Sequence, residues 1–142
     1  MKLFISGALD LTLEDDKTPG FLWSVTLNGI TTKGITMLVL PNDHKVTVSI
    51  QPVDAKGNPA TIDGLAAWSS SSTGIVTVTN VSADSLSADV VPGPVLGTAQ
   101  INVTADADLG SGVTTINGVL DVQVVAGQAV GFTIQTSPPV PV

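Results

Sequence analysis

Residues 46–79 read VTVSIQPVDAKGNPATIDGLAAWSSSSTGIVTVT, and this stretch contains the clearest secondary-structure signal of the chain. Apolar and hydroxyl side chains alternate over 46–50 and again over 75–79, and this period of two residues predicts half-buried β-strands. The stretch 54–59 between them is rich in Asp, Gly, Asn and Pro, which favour turns. Short strands separated by turns predict an all-β fold rather than an α/β fold.

The same pattern continues along the rest of the chain, where no amphipathic helix of convincing length is found. The dipeptides Asn28-Gly29 and Asn117-Gly118 predict tight turns. Turn signals recur about every 8–12 residues, which is typical of a β-sandwich of about seven strands. Further strands are predicted at 9–13, 21–27, 35–40, 65–68, 86–91, 100–105 and 119–125, and residues 130–134 should extend the last of these or form a final strand.

Composition excludes several classes of function. All five Lys lie in the first 56 residues, there is no Arg, and the net charge is −7, so nucleic acid and anionic membrane surfaces are disfavoured partners. The absence of Cys removes disulfides and thiolate chemistry. No run approaches the roughly 20 apolar residues of a membrane span. Asp10 interrupts the short apolar run at the N-terminus, so no secretory leader is predicted there.

Candidate catalytic and metal-binding groups are few. His44 is the single histidine, and one His without Cys cannot build a zinc site. A Ser-His-Asp triad is formally possible, but no nucleophile-elbow pattern accompanies it. Asp106 and Asp108 precede Gly110 in a manner faintly similar to the start of a calcium loop, although the distant bidentate Glu is missing. Loop hydrogen bonds are the alternative role for both aspartates. We therefore expect no enzyme activity and no cofactor.

Partner contacts are more plausible on the first 36 residues. Glu14, Asp15 and Asp16 form an acidic group that is either a solvated loop or a docking point for a basic partner. Phe21, Trp23 and Leu27 alternate on one face of a predicted strand. This apolar face either packs on the sandwich or contacts another subunit, where aromatic anchors are favoured. The hydroxyl-rich loop 69–73 is either a partner site at one end of the sandwich or a plain connection.

Three segments carry a resemblance to a known family: 46–64, 66–79 and 97–110, the last followed by VLDVQVVAG at 119–127. The order of the Trp-Ser-Ser step, the Ile-Val-x-Val strand and the Gly-Thr-Ala-x-Ile-x-Val-Thr-Ala step resembles the bacterial immunoglobulin-like group 2 domains of adhesins and phage structural proteins. The resemblance covers roughly residues 38–134. It implies an immunoglobulin-like β-sandwich with Trp68 buried between the sheets and Gly97 at a sharp turn. The first 36 residues have no counterpart in the family pattern.

The resulting expectation is an N-terminal β-strand extension over 1–36, an immunoglobulin-like sandwich over 37–134, and a Pro-rich extended tail over 135–142. The resemblance implies a phage virion structural protein, and the favoured form of this hypothesis is a capsid decoration or cement protein. It would be made in the host cytoplasm, form a homo-oligomer and bind the major capsid or tail protein. The alternative is a tail- or surface-associated adhesion module that binds host carbohydrate or a receptor.

Overall fold

The computed structural model describes residues 2–6, 10–14, 22–27, 30–33, 37–108, 110 and 112–142, with the backbone course alone given before residue 37. Each regular element in these ranges is a β-strand. The strands are β1 (Lys2–Ser6), β2 (Asp10–Glu14), β3 (Leu22–Leu27), β4 (Ile30–Lys33), β5 (Met37–Pro41), β6 (Val46–Gln51), β7 (Asp63–Ser70), β8 (Val76–Thr79), β9 (Ser87–Pro92), β10 (Gly97–Asp106) and β11 (Thr115–Val125).

Two sheets contain these strands, in the orders β2-β1-β5-β11-β10-β7 and β4-β3-β6-β9-β8. Between residues 37 and 125 the sheets have four and three strands. The orders β11-β10-β7 and β6-β9-β8 are the G-F-C and B-E-D orders of an immunoglobulin-like sandwich, with β5 joined in parallel to the last strand. The predicted all-β sandwich is confirmed.

The first 33 residues contribute one antiparallel strand pair to each sheet. Strand β1 runs parallel to β5 and pairs with β2, while β3 pairs with β6 and β4. Strands β1 and β4 were not among the strands that alternation predicts. Leu27 stands opposite Ile30, and the Asn28-Gly29 turn between them lies outside the described residues. The boundary proposed at residue 36 remains a prediction.

The core lies between the two sheets and is built from aliphatic side chains. Strand β6 buries Val46, Val48 and Ile50, and β10 buries alternate residues in the same way, because successive side chains point to opposite faces. Trp68 packs against this core but is only partly buried, so it stands at the margin of the core rather than wholly inside it. The remaining members are Leu38, Leu40, Ala66, Val76, Val90, Ala99, Ile101, Val103, Ala105, Leu120, Val122 and Val124.

Two local predictions are wrong. Asn117 and Gly118 do not form a turn but lie inside β11, opposite Thr104 and Val103. The ladder between β10 and β11 is continuous from Gly97 to Asp106, and this pairing overrides the turn preference of the dipeptide. Residues 130–134 form no strand, because the chain leaves the sheet after Val125 and these residues have no neighbouring strand to pair with.

Strand register places the loops at two ends of the sandwich. Ser70 pairs with Ile101 and Pro41 with Val125, so the upper end carries the connections 42–45, 71–75 and 93–96 and the start of the segment 126–142. Asp63 pairs with Asp106, so the lower end carries the connections 52–62, 80–86 and 107–114. Gly97 opens β10 at the upper end with φ of 147°, a conformation that favours glycine.

Candidate interaction surfaces

Ser85 organises the lower end of the sandwich. Among the described side chains, Ser85 is the one polar residue that is buried. Its φ of 60° is unusual for a residue other than glycine. Its Oγ accepts a hydrogen bond from Ala66 N (2.7 Å) and donates one to Asp84 O (2.6 Å). Its carbonyl oxygen accepts from Trp68 Nε1 (2.7 Å). The indole N–H is therefore directed to the 80–86 loop. Sequence reasoning missed Ser85, since one Ser among many in this chain gives no periodic signal.

The neighbouring carboxylate of Asp84 holds the same loop. Its Oδ1 accepts from Ser82 Oγ (2.5 Å) and from Leu86 N (3.0 Å). These hydrogen bonds, that of the Ser82 hydroxyl first, hold the pKa of Asp84 below its ordinary value because they favour the charged form. The Asp84 carboxylate therefore acts as a loop-stabilising group.

Asp106 and Asp108, the weak calcium candidates, are both engaged within their own loop. Asp106 Oδ1 accepts from Asp108 N (2.9 Å) and Thr114 N (2.8 Å), and Asp108 Oδ1 accepts from Gly110 N (2.8 Å). This is the turn-forming role that the sequence left open as the alternative. Among the side chains described in 37–142, no three His, Cys, Asp or Glu come together as metal ligands.

The turn at 54–58 is built in the same way. Asp54 Oδ1 accepts from Lys56 N (2.8 Å) and Asn58 N (2.9 Å), and Gly57 completes the turn with a φ of 82°. The hydrogen bond from the Asn58 backbone is the largest of the causes that lower the pKa of Asp54. The stretch that the sequence predicts to be a turn is therefore a turn whose hydrogen bonds are made within it. Its backbone N–H groups stabilise the charged form of the Asp54 carboxylate.

His44 lies at the upper end, beside the point where the segment 126–142 leaves the sandwich. Its Nδ1 is 2.6 Å from Asp43 Oδ1, within hydrogen-bonding distance. The adjacent Asn42 accepts from Gly127 N through Oδ1 (3.0 Å), and its own N–H donates to Val125 O (2.8 Å). The 42–44 turn therefore fixes the exit path of the following chain.

Two hydroxyl groups of the loop 69–73 form hydrogen bonds with backbone groups of the sandwich. Ser70 Oγ donates to Val76 O (2.7 Å), and Ser71 Oγ accepts from Gln100 N (2.8 Å). Ser71 and Thr73 are nevertheless exposed. This loop belongs to the upper end, whereas the loop after Asp106 belongs to the lower end, so the two cannot line one binding site.

The N-terminal contact candidates are placed only by their backbone. Glu14 ends β2 opposite Lys2, Trp23 stands opposite Ile50, and Leu27 stands opposite Ile30. Asp15, Asp16 and Phe21 lie outside the described residues. Their role in contacting a partner therefore stays a prediction.

A polar face covers the outer side of β7, β10 and β11, and we call it the polar sheet face. Its cross-strand rows place Gln100 beside Asp121, Asn102 between Ser69 and Val119, and Thr104 between Ala67 and Asn117. Gln100 Nε2 donates to Asp121 Oδ1 (3.0 Å) within the first row. Because every Lys precedes residue 57, the face presents amides, hydroxyls, carboxylates and the exposed apolar side chains of Leu65 and Val119, but no cation.

The outer side of the other sheet carries a small charged cluster around Asp89. Its carboxylate accepts from Asn80 Nδ2 (3.0 Å), Thr47 Oγ1 (2.9 Å) and Lys45 Nζ (3.2 Å). These groups, the Asn80 amide first, lower the pKa of Asp89. The cluster links β6 to β9 and gives this sheet a cation that the polar sheet face lacks.

The class that these observations define is an all-β sandwich protein. None of the described residues forms a helix with the length and hydropathy needed to cross a membrane. Comparison with known proteins gave no match to a family model, a curated protein or a solved structure. The resemblance to bacterial immunoglobulin-like group 2 domains therefore stays a prediction.

Proposed function

We propose that this protein is a structural component of a bacteriophage particle, where it binds the capsid as a decoration protein and performs no catalysis. The observation that carries the proposal is the polar sheet face, together with the sequence resemblance to virion-associated sandwich domains. The surface acts by shape and hydrogen bonding rather than by a chemical step.

The composition of the polar sheet face suits a protein partner. Rows of amide and hydroxyl side chains supply donors and acceptors, and protein interfaces use about one hydrogen bond per 100–200 Å². Asp121, opposite Gln100, and Asp106, at the lower end of β10, give the face a negative charge, and the same strands contain no Lys or Arg. Complementarity with a basic patch on a capsid protein would set orientation and speed association.

The hydrogen bonds of the candidate catalytic groups support a non-enzymatic role. His44 pairs with the adjacent Asp43, while Asp106 and Asp108 accept from N–H groups of their own loop. Each group stabilises a local turn, and their positions divide between the two ends of the sandwich. General acid–base catalysis needs such groups to converge on one substrate position.

A second candidate function is adhesion to a host receptor through the upper end. Val95 and Leu96 are half-exposed there, and Val95 N donates to Gly74 O (3.0 Å), which brings the apolar pair next to the hydroxyl-rich loop. Sugar binding is the less favoured form of this function, because stacking platforms for sugars need exposed aromatic rings and the sandwich between residues 37 and 125 contains one aromatic residue, Trp68. Trp68 packs instead on the core and donates to Ser85.

The test begins with quantitative mass spectrometry of gradient-purified particles from a host that carries the gene. A copy number comparable to that of the major capsid protein is the expected result. A copy number comparable to that of tail fibres would favour the adhesion function. Absence from particles would overturn the virion assignment.

A matched pair of variants then tests the surface. Thr104 lies on the polar sheet face, and Thr79 is an exposed residue at the end of β8 in the other sheet. We expect Thr104→Lys to reduce rebinding to particles that lack the protein at least tenfold, because a cation there opposes a basic partner. Thr79→Lys should rebind normally. Equal rebinding of both variants would show that the polar sheet face is not the contact surface.

A further inference from the structure

The segment that follows β11 has the sequence of a β-strand but no neighbouring strand among the described residues. Val130, Phe132 and Ile134 alternate with Gly131 and Thr133, and their fractional exposures are 101%, 100% and 86%. No charged side chain follows Asp121. Alternating apolar residues of this kind are stable in water only when one face is covered, so the segment needs a sheet edge from elsewhere.

The base of this segment is fixed at the upper end. Gly127 N donates to Asn42 Oδ1 (3.0 Å), and the carboxylate of Asp43 lies so close to Gly127 that a Cβ there would stand 2.5 Å from its Oδ2. The start of the segment is thereby tied to the 42–43 turn at the upper end, and the residues from 128 onward are exposed.

Two of the four edge strands among the described residues are partly occupied by the chain itself. On β7, Ala66 N donates to Ser85 Oγ. On β8, Val76 N donates to Ser72 O (3.0 Å), and Val76 O accepts from Ser70 Oγ (2.7 Å). An edge strand on which backbone groups are already bonded has fewer groups to offer a further strand.

The other two edges, β2 and β4, each have one neighbour among the described strands. Strand β4 has four residues and ends in Lys33, a residue type that discourages strand addition at an edge. Strand β2 has five residues, the length of 130–134; its charged residues, Asp10 and Glu14, stand at its two ends, are acidic rather than Lys, and enclose the uncharged Leu-Thr-Leu. It begins at the upper end, since Asp10 stands opposite Ser6.

The geometry indicates that the edge of β2 comes from a second copy. Gly127 lies beside the end of β5, and a strand outside β2 would lie three strand spacings away, about 14 Å. The three steps from residue 127 to 130 span at most about 11 Å when fully extended. The segment therefore cannot begin pairing at residue 130 with β2 of its own chain.

We propose that residues 130–134 of one copy add as a strand to the outer edge of β2 of a second copy. Exchange in both directions would close a two-fold dimer, because the same two surfaces are used twice. Main-chain hydrogen bonds supply the pairing, and the alternating side chains at 130, 132 and 134 set its register. This self-association is consistent with the proposed virion role and does not depend on it.

The absence of Cys in the chain allows a direct test by cross-linking. A chain with Thr12→Cys and a chain with Thr133→Cys are refolded together and treated with a short bis-maleimide. The expected result is a covalent heterodimer. A chain with Thr79→Cys replaces the Thr12→Cys chain as the control and should cross-link at most one tenth as much.

Further variants separate the alternatives. Phe132→Asp added to the Thr133→Cys chain should abolish the heterodimer while leaving the melting temperature unchanged. Absence of a heterodimer, equal cross-linking to residue 79, or persistence in the presence of Phe132→Asp would overturn the proposal. An internal cross-link in a highly diluted chain that carries both cysteines would also overturn it. Absence of the protein from phage particles would leave these results unaffected and would contradict the virion role alone.

Discussion

Two segments of this chain share one sequence pattern and have opposite environments. Residues 46–50 read Val-Thr-Val-Ser-Ile and form β6, whose three apolar side chains are at most 4% exposed. Residues 130–134 read Val-Gly-Phe-Thr-Ile and form no strand, with the corresponding side chains almost fully exposed. Alternation therefore specifies the ability to form a strand, whereas the availability of a neighbouring edge decides whether the strand forms.

The strongest way to break this comparison is the same substitution in both segments. Ile50→Ala should lower the free energy of unfolding by about 2–5 kcal/mol, since it leaves a cavity between the sheets. Ile134→Ala should change it by less than about 0.5 kcal/mol in dilute solution. Urea denaturation followed by Trp fluorescence measures both. Equal losses would show that Ile134 is packed within its own chain.

Glycine provides the second test. A Cβ at Gly93 would overlap the carbonyl oxygen of Gly74, a backbone atom that cannot rotate away. Gly93→Ala should therefore cost about 2–3 kcal/mol. Gly131 in the 126–142 segment has no heavy atom within 4 Å of the same position, so Gly131→Ala is the control and should be neutral. The melting temperatures of the two variants would contradict the comparison if they were equal.

The third test compares Ser85, which is buried and hydrogen-bonded, with Ser137, which is exposed. Ser85→Ala removes the acceptor of Ala66 N and should cost about 1–2 kcal/mol, because a buried N–H loses its partner. Ser137→Ala, in the exposed tail, should have no measurable effect on thermal unfolding. A neutral Ser85→Ala variant would mean that the 80–86 loop does not anchor β7.

These three pairs show what the sequence could and could not predict. Val46, Val48 and Ile50 are buried as their alternation predicts, since a period of two identifies the inward face without further information. The Asn117-Gly118 turn was wrong because the pairing of β11 with β10 is a long-range property that a dipeptide does not contain. The prediction of a strand at 130–134 was wrong because a strand forms only where a neighbouring strand is available to pair with it, and this depends on the arrangement of all the strands.

The candidate sites were less predictable than the fold. Asp106 and Asp108 could be identified as turn formers, because Asp side chains bond backbone groups two residues ahead. Ser85 could not be found, since its importance comes from the meeting of β7 with a loop 17 to 19 residues further along the chain. The polar sheet face likewise depends on register, which no local pattern specifies.

The smallest expected effect is in the pH dependence of stability. The pKa of Asp89 is lowered in the folded state, chiefly by the Asn80 amide and then by Thr47 and Lys45. Its contribution is therefore present above its unfolded pKa of about 3.9 and is lost as the pH falls through the lower folded pKa. Asp89→Asn should lower the free energy of unfolding at pH 7 by about 1 kcal/mol. It should also make the fall of that free energy below about pH 4 less steep.

The matched control for this prediction is deletion of residues 128–142. The deleted segment contains no charged side chain, so the acid dependence of unfolding should keep the shape that it has in the full chain. An acid profile altered by the deletion would mean that the segment contacts titrating groups of the sandwich. If the Asp89→Asn variant and the unsubstituted chain had parallel acid profiles, Asp89 would not contribute to the pH dependence of stability.

The most direct test of the central claim is amide hydrogen exchange of residues 46–50 and 130–134 at two protein concentrations. At high dilution we expect strong protection over 46–50 and none over 130–134. At high concentration residues 130–134 and the edge strand β2 should gain protection together. Protection of 130–134 at the highest dilution, or its absence at every concentration, would contradict the claim that this segment is a strand awaiting a second copy.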